Sequence, residues 1–371
     1  MKVAFYLAHP AHYHLFKHAI TALAKSGIKV LVLYNEKDVL HTLVKEFEKE
    51  NIKTKKVWAT KNVHSGLKLK LQFIQKLIGA FWHLLWFGPN LVIGTPVLIA
   101  LVGQLIRYKS IIVNEDDFDI VKQTANLGYP YASHIICPEV CRTGVFERKC
   151  IKYSGYHELA YLHPSHFIPD ETVPAKYGID TKIPYAIIRF AKLTAHHDNN
   201  IRGINAEAAN ILIEILQGQM QVIITAERQI EPELEKYRTA VDPIDMHHLM
   251  AFASIYIGDS QTMAAEAGVL GVPFIRFNDF VGRISYLDEL ENKYHLGYGI
   301  LPDDKDGMLQ QAKKLVEMPE RKEVFQQRRQ KMLNDKINTA NFLVWFIKNY
   351  PKSVDILKEN PRYQNQFKDD I

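Results

Sequence analysis

Short apolar runs of β-forming residues alternate with amphipathic stretches along this chain, and the alternation runs its course twice. Val3–Leu7 and Val30–Tyr34 are two such runs. Between them, His14–Lys25 carries Leu15, Ile20, Leu23 and Ala24 at helical spacing and stops at Gly27. A helix over Val39–Glu50, then strands near Thr54–Trp58, Leu91–Ile93, Ile111–Val113 and Ile135–Cys137, continue the pattern. It fades through the proline-rich stretch Pro138–Pro184 and restarts with a strand at Tyr185–Phe190. A helix over Ala206–Gln217, a strand at Val222–Thr225 and a helix over Asp245–Phe252 follow. The strand Ile255–Ile257, the helix Gln261–Leu270, the strand Pro273–Phe277 and helices over Met308–Met318 and Asn338–Tyr350 complete it.

Strands separated by helices pair in parallel through right-handed crossovers. The pattern therefore predicts an α/β protein of two doubly wound, Rossmann-like domains. Residues 1–165 form the first, 166–184 a linker and 185–335 the second, with 336–371 a last helix and tail crossing back. In such an arrangement ligands bind in a cleft at the carboxyl ends of the strands. A length of 371 residues suits two domains.

With 47% apolar and 23% charged residues, disorder is excluded. The net charge of +5 suits an anionic ligand or an acidic membrane surface. No Lys/Arg block stands out and the aromatic residues are dispersed, so no nucleic-acid partner is expected. Three cysteines (Cys137, Cys141 and Cys150) cannot all pair within one chain, which predicts reduced thiols and a cytoplasmic protein. The apolar start ends after five residues at Ala8-His9-Pro10, too early for a secretory segment.

Leu77–Ile106 contains no Asp, Glu, Lys or Arg, yet Phe87-Gly88-Pro89-Asn90 and Gly94-Thr95-Pro96 interrupt it. These breaks predict helix, turn, buried strand and helix, without a membrane span. Lys68, Lys70 and Lys76 stand beside Phe73, Phe81, Trp82 and Trp86. Two readings stay open: peripheral contact with the inner membrane surface, or a helix packed on a sheet.

The most informative run is Ile255-Tyr256-Ile257-Gly258-Asp259-Ser260-Gln261-Thr262-Met263-Ala264-Ala265-Glu266-Ala267, followed by Leu270-Gly271-Val272-Pro273. A strand, a small polar turn and a helix start bring free N–H groups and the Ser260 and Thr262 hydroxyls to one place, which suits a phosphate. An ordinary capped helix has the same local pattern. The whole string resembles the Asp-Ser-Gly-Gly-x-x-x-Glu-Ala…Leu-Gly-x-Pro signature of the non-hydrolysing UDP-N-acetylglucosamine 2-epimerases and the related GT-B glycosyltransferases. Asp259 and Ser260 match its Asp-Ser, Gln261 and Thr262 replace its two glycines, and Glu266-Ala267 matches its Glu-Ala. The resemblance implies that the turn holds the diphosphate of a nucleotide sugar and Glu266 its ribose.

From Met1 to about Leu315 the chain is also similar to an uncharacterised GT-B-like domain-of-unknown-function family found among surface-polysaccharide genes. The similarity includes Asn114-Glu115-Asp116-Asp117, Tyr153-Ser154-Gly155-Tyr156-His157-Glu158-Leu159-Ala160, Arg189-Phe190, Ala195-His196-His197-Asp198 and Phe280-Val281-Gly282-Arg283. It implies the GT-B fold, a UDP-linked donor sugar, a glycan or lipid-linked acceptor, and no further cofactor.

In GT-B transferases the first βα turn, here Ala8–His14, faces the acceptor, and a histidine there removes the acceptor proton. Imidazole titrates in the range this requires. His12 aligns with the position used by transferases resembling the lipid-linked peptidoglycan enzyme, and His14 is the second candidate. The epimerases instead carry a Gly-Thr-Arg-Pro-Glu turn, whose Arg is absent here, and need paired carboxylates. Glu115, Asp116 and Asp117, with Glu139 nearby, supply candidates; a solvated acidic loop is the alternative. Arg189, His196 and His197 follow or end a strand where a cation would neutralise a leaving diphosphate. Arg276 and Arg283 are weaker candidates for sugar or phosphate contacts. His9/His12, His14/His18 and His134-Cys137-Cys141 have loose metal spacing without a full ligand set, so no metal is expected. The expected activity is glycosyl transfer, with sugar-nucleotide epimerisation and non-catalytic nucleotide-sugar binding as the alternatives.

Overall fold

The computed structural model describes residues 1–36, 39–59, 67–191 and 202–368. The chain divides into two compact units: Met1–His166 joined by the C-terminal stretch from Lys336, and Phe167–Asp335. The stretch expected as a linker therefore packs with the second unit from Phe167 onward.

In the first unit, β1 (Lys2–Leu7), α1 (Pro10–Lys25), β2 (Lys29–Glu36), α2 (Leu40–Lys49), β3 (Lys53–Ala59) and α3 (Leu67–Phe87) come first. They are followed by β4 (Leu91–Gly94), α4 (Leu98–Ile106), β5 (Lys109–Val113), α5 (Lys122–Gly128), β6 (His134–Pro138) and β7 (Cys150–Tyr153). The seven strands order as β3-β2-β1-β4-β5-β6-β7. Every pairing is parallel. The sheet buries almost every residue of β1, including Val3, Phe5 and Leu7. Such two-sided burial is why these strands read as unbroken apolar runs. β7 escapes the apolar pattern because only Ile151 and Tyr153 of its four residues are buried, as on an edge strand.

The second unit holds α6 (Val173–Lys176), β8 (Tyr185–Phe190), α7 (Ala206–Gln217), β9 (Gln221–Ala226), α8 (Met246–Ala251), β10 (Ile255–Gly258) and α9 (Gln261–Leu270). Then come β11 (Phe274–Phe277), α10 (Ser285–Asp288), β12 (Gly297–Ile300), α11 (Lys305–Val316) and α12 (Arg321–Asp335). Its parallel sheet orders as β12-β11-β10-β8-β9. The Gly-Tyr-Gly-Ile sequence of β12 carries little strand signal. Glycine is needed at 297 because a Cβ there would sit 2.4 Å from the Phe274 ring.

The chain then returns to the first unit as α13 (Thr339–Lys348) and α14 (Lys352–Glu359). α13 buries Phe342, Leu343, Phe346 and Ile347 there, and the Phe342 ring stacks on Tyr153 at 5.5 Å. Asn338 caps it through the Asn341 N–H, and the Thr339 hydroxyl donates to the Tyr156 carbonyl at 2.9 Å.

Strand order locates the switch points, where neighbouring crossovers leave in opposite directions. They lie between the carboxyl ends of β1 and β4 in the first sheet and of β8 and β10 in the second.

Candidate functional site

The switch point of the second sheet is built by Arg189, near the end of β8, and Gly258, which ends β10; the two are register partners. A Cβ on Gly258 would lie 2.6 Å from the Tyr256 hydroxyl and 2.9 Å from Arg189 Cβ, so only glycine leaves room for both side chains. Arg189 is also in register with Thr225 of β9. In a parallel pair, registered residues project to one face, and so do residues two apart on a strand. Tyr256, Arg189 and Thr225 therefore form one polar row beneath the carboxyl edge. The Arg189 guanidinium pairs with Glu227, two residues beyond Thr225. Its Nε, the Tyr256 hydroxyl and the Thr225 hydroxyl are buried and have no hydrogen-bond partner among the described residues. Burial holds the Tyr256 phenol well above its ordinary pKa, with Arg189 acting in the opposite sense. Three buried donors in one row without acceptors among the described residues are costly unless something else supplies them.

Ser260 caps α9, its hydroxyl accepting from the Met263 N–H at 3.4 Å, while Gln261 and Thr262 are half-buried in the first turn. The expected helix start is present, with one of its N–H groups used by Ser260. Asp259 faces inward. Its Oδ1 accepts the Ala191 N–H at 2.6 Å, its Oδ2 lies 3.5 Å from Arg228, and its carbonyl accepts from the Asn278 amide at 3.0 Å. These contacts make Asp259 a clasp that joins the loops after three strands. Burial pushes its carboxyl up to about 6, opposed by the Ala191 N–H and by Arg228. Glu266 is nearly buried and accepts from His247 Nε2 of α8 at 2.9 Å, so a second helix orients its carboxylate.

A cavity of about 500 Å³ lies in the same unit, at the amino ends of α7 and α11. Arg202, Arg228, Lys305, Phe277 and Pro302 line it, together with Gly203. It does not include Ser260, Gln261, Thr262 or Glu266, but Gly203 abuts Asp259: a Cβ there would be 2.4 Å from Oδ2. Its cations are matched by carboxylates, Arg202 with Asp279 at 2.8 Å and Lys305 with Glu207 at 2.8 Å. Of the remaining candidates, Arg283 is exposed, with its guanidinium 5.4 Å from the Phe280 ring centre. Arg276 is fully buried and held in a two-point pair by Glu291, which makes it part of the core. His196 and His197 lie outside the described residues.

In the first unit, α1 begins at Pro10 rather than at His14, so His12 as well as His14 stands in its opening turns. Proline at the first helical position and His9 as the cap, accepting the Ala11 N–H at 3.3 Å, start the helix early. His12 Nδ1 accepts the Ala8 N–H at 3.1 Å. That bond selects the neutral ring with its proton on Nε2, a donor rather than a base in this state. His14 is half-buried, with its ring 5.3 Å from that of Tyr161.

The acidic run after β5 divides its work. Asp117 is fully buried and accepts the Arg142 N–H at 2.7 Å, which pins the loop after β6. Asp116 is half-buried, and its carbonyl accepts from the Asn114 amide. Glu115 instead faces His157: Oε1 lies 3.2 Å from the imidazole Nδ1, and Oε2 accepts the His157 N–H at 3.3 Å. Burial draws the His157 imidazole down to about 4, against the pull of Glu158 and Asp116, so the ring is neutral at pH 7. Nδ1–H then donates to Glu115 and leaves a lone pair on Nε2, which is buried and has no partner among the described residues. A carboxylate orienting an imidazole in this way is the arrangement of a general base. Just past the end of β6, Glu139 accepts from the Ser154 hydroxyl at 2.9 Å and pairs with the buried Lys336 ammonium at 3.2 Å. Glu115 and Glu139 follow adjacent strands.

His157 is the functional candidate that sequence reasoning passed over. Its signal was the density of Tyr and His in Tyr153–Pro164, which equally suited sugar stacking or domain packing. All three cysteines are free thiols. Among the described residues no group of three or more His, Cys, Asp or Glu is placed to hold a metal ion.

The UDP-GlcNAc 2-epimerase of Neisseria meningitidis, solved bound to UDP-GlcNAc, is similar in structure at 15% identity, covering 97% of this chain and 100% of that one with a TM-score of 0.64. The UDP-GlcNAc 2-epimerase of Methanocaldococcus jannaschii matches at 18% identity over 86% and 94% of the two chains, with a TM-score of 0.58. UGT89C1 of Arabidopsis thaliana, complexed with UDP, matches at 13% identity over 92% and 98%, with a TM-score of 0.61. At these identities the likeness establishes the fold, which is GT-B. No curated protein matches the chain. Residues 1–317 match the family described as "Protein of unknown function (DUF354)", and the chain belongs to that family.

Proposed function

We propose that this protein is a GT-B glycosyltransferase that uses a nucleoside-diphosphate sugar, UDP-linked, to extend a surface glycan or a lipid-linked acceptor. The observation that carries the reading is the row formed by Arg189 Nε and the Thr225 and Tyr256 hydroxyls beside the start of α9, all buried and without a hydrogen-bond partner among the described residues. A diphosphate or sugar hydroxyl supplies the acceptors this row lacks, and as the glycosidic bond breaks, charge on the leaving diphosphate strengthens its contact with Arg189. Glu266, oriented by His247, holds the ribose hydroxyls. In the first unit, His157 Nε2 takes the acceptor proton, with Glu115 stabilising the imidazolium that forms. His12, in its Nε2–H form, donates to an acceptor oxygen. Replacing Glu266 by Ala should weaken UDP binding about tenfold or more in calorimetry, the loss expected for hydrogen bonds to a charged group. Unchanged affinity would remove Glu266 from the site.

Sugar-nucleotide epimerisation is the second reading, favoured by Glu115 and Glu139 on adjacent strand ends. Incubation with UDP-GlcNAc alone in heavy water separates the two. Deuterium appearing at C2 would establish epimerisation, whereas acceptor-dependent release of UDP without exchange supports transfer. Binding of UDP-sugars with neither outcome across acceptors would indicate a non-catalytic binding protein.

A further inference from the structure

An α-helix on a protein surface ordinarily turns a polar face to water. α3 does not. Ala80 and Leu84 are buried on its inner side, with Phe73, Leu77 and Phe81 packed against the same core. Its outer side exposes Leu71, Ile74, Ile78, Trp82, Leu85 and Trp86, the last at 84%. At 100° per residue these six positions fall within an arc of about 120°. So long an apolar strip is beyond what a surface in water carries without a partner. α4 packs beside α3 and adds Leu105, 65% exposed.

The stretch of chain that carries this strip has charge of one sign. From Asn51 to Asn114 the chain contains no Asp or Glu and nine Lys or Arg. Lys68 and Lys70 are exposed at the beginning of α3, and Arg107 follows α4. No helix among the described residues is long and apolar enough to cross a membrane.

We propose that the outward face of α3 docks on the surface of a bilayer containing anionic phospholipid, with Leu71, Ile74 and Ile78 entering the acyl boundary, Trp82 and Trp86 at headgroup level, and Lys68 and Lys70 on lipid phosphates. A helix with an apolar face and flanking lysines lies in the interface plane and draws its affinity from both terms. Charge complementarity selects lipid over a second copy of the chain. A two-fold dimer through α3 would place the lysines of this helix opposite themselves, and like charges repel. The inference holds whichever reaction the protein performs.

The test uses the full chain with vesicles of phosphatidylcholine alone and of phosphatidylcholine with phosphatidylglycerol. Co-sedimentation with the anionic vesicles should exceed that with neutral ones by about tenfold, fall with added salt, and accompany a blue shift of tryptophan emission. The double change Trp82→Ser and Trp86→Ser should cut partitioning about tenfold or more. Lys68→Glu with Lys70→Glu should do the same without moving the emission of the unbound protein. All four side chains are exposed, so the unfolding midpoint should stay in place and report that the variants fold. Absence of binding to anionic vesicles, or binding that both double variants retain, would overturn the proposal. So would a dimer in sedimentation velocity that the tryptophan variant dissociates, which would assign the face to a second copy.

Discussion

Asp259 and His157 show two outcomes of burial: every oxygen of the first is tied to the protein, while a ring nitrogen of the second has no partner among the described residues. Asp259 has every oxygen directed at the protein, yet burial raises its carboxyl to about 6 from an unfolded value of 3.8. Between those values the folded chain binds more protons than the unfolded one, so its contribution to stability is fully present below about pH 4 and is lost as pH rises through 6. The shift corresponds to roughly 3 kcal/mol. Asp259→Asn should remove this dependence: in urea titrations the difference in stability between protein and variant should shift against the wild type on going from pH 4 to pH 7. A difference that stays flat would contradict the buried-charge account. His157 is also buried, but its partner is a carboxylate and its second nitrogen is unoccupied among the described residues. His157→Ala should lower kcat by 10²–10⁴-fold with little change in donor KM, the usual cost of losing a general base. Glu115→Gln should lower it less and move the acid limb of the pH profile. A purely structural His157 would instead change the unfolding midpoint and leave that profile in place.

At the level of elements, periodicity revealed every central strand and the edge strands β3 and β9, and the two it missed, β7 and β12, are also edge strands. β12 is the clearer case, since close approach of Phe274 requires glycine at 297 and so removes the side chain that would have marked a strand. Gly297→Ala should therefore destabilise the second unit by about 1–3 kcal/mol, the range for overpacking a core, measurable as a lower urea midpoint. The start of α1 moved for a related reason. Apolar spacing is visible only from Leu15, whereas proline and the His9 cap begin the helix at Pro10, placing His12 on a helix rather than in a turn. α3 kept the apolar character read from its sequence, but which face meets the core was decided by packing on β3 and α4.

For the whole molecule, the chain passes into the second unit and back, so the first unit depends on residues more than 170 positions away from its last strand. α13 buries four large apolar side chains there. At about 1.5–3 kcal/mol for each buried side chain, their loss rivals the stability of an ordinary domain. A chain ending at Asp335 should keep the second unit's cooperative transition and lose the first unit's, seen as one thermal transition and rapid proteolysis before residue 167. Two intact transitions would show that α13 is dispensable. The return also delivers Lys336 to Glu139 and Thr339 to Tyr156, so truncation should disturb these two contacts as well as the core.

What the sequence determined by itself is the class of architecture: two parallel α/β units, the strand–turn–helix at Gly258–Gln261, and the returning final helix. Those features follow from local periodicity, capping and glycine, which act within a few residues of where they are written. Which charged groups are tied into the core was decided only by the tertiary structure. Arg276 and Asp259 look like binding residues in one dimension and become buried ties in three, while His157 is oriented by Glu115, 42 positions earlier in the chain. A hydrogen bond or an unpaired donor depends on distances across strands, and neighbours along the chain do not encode those distances.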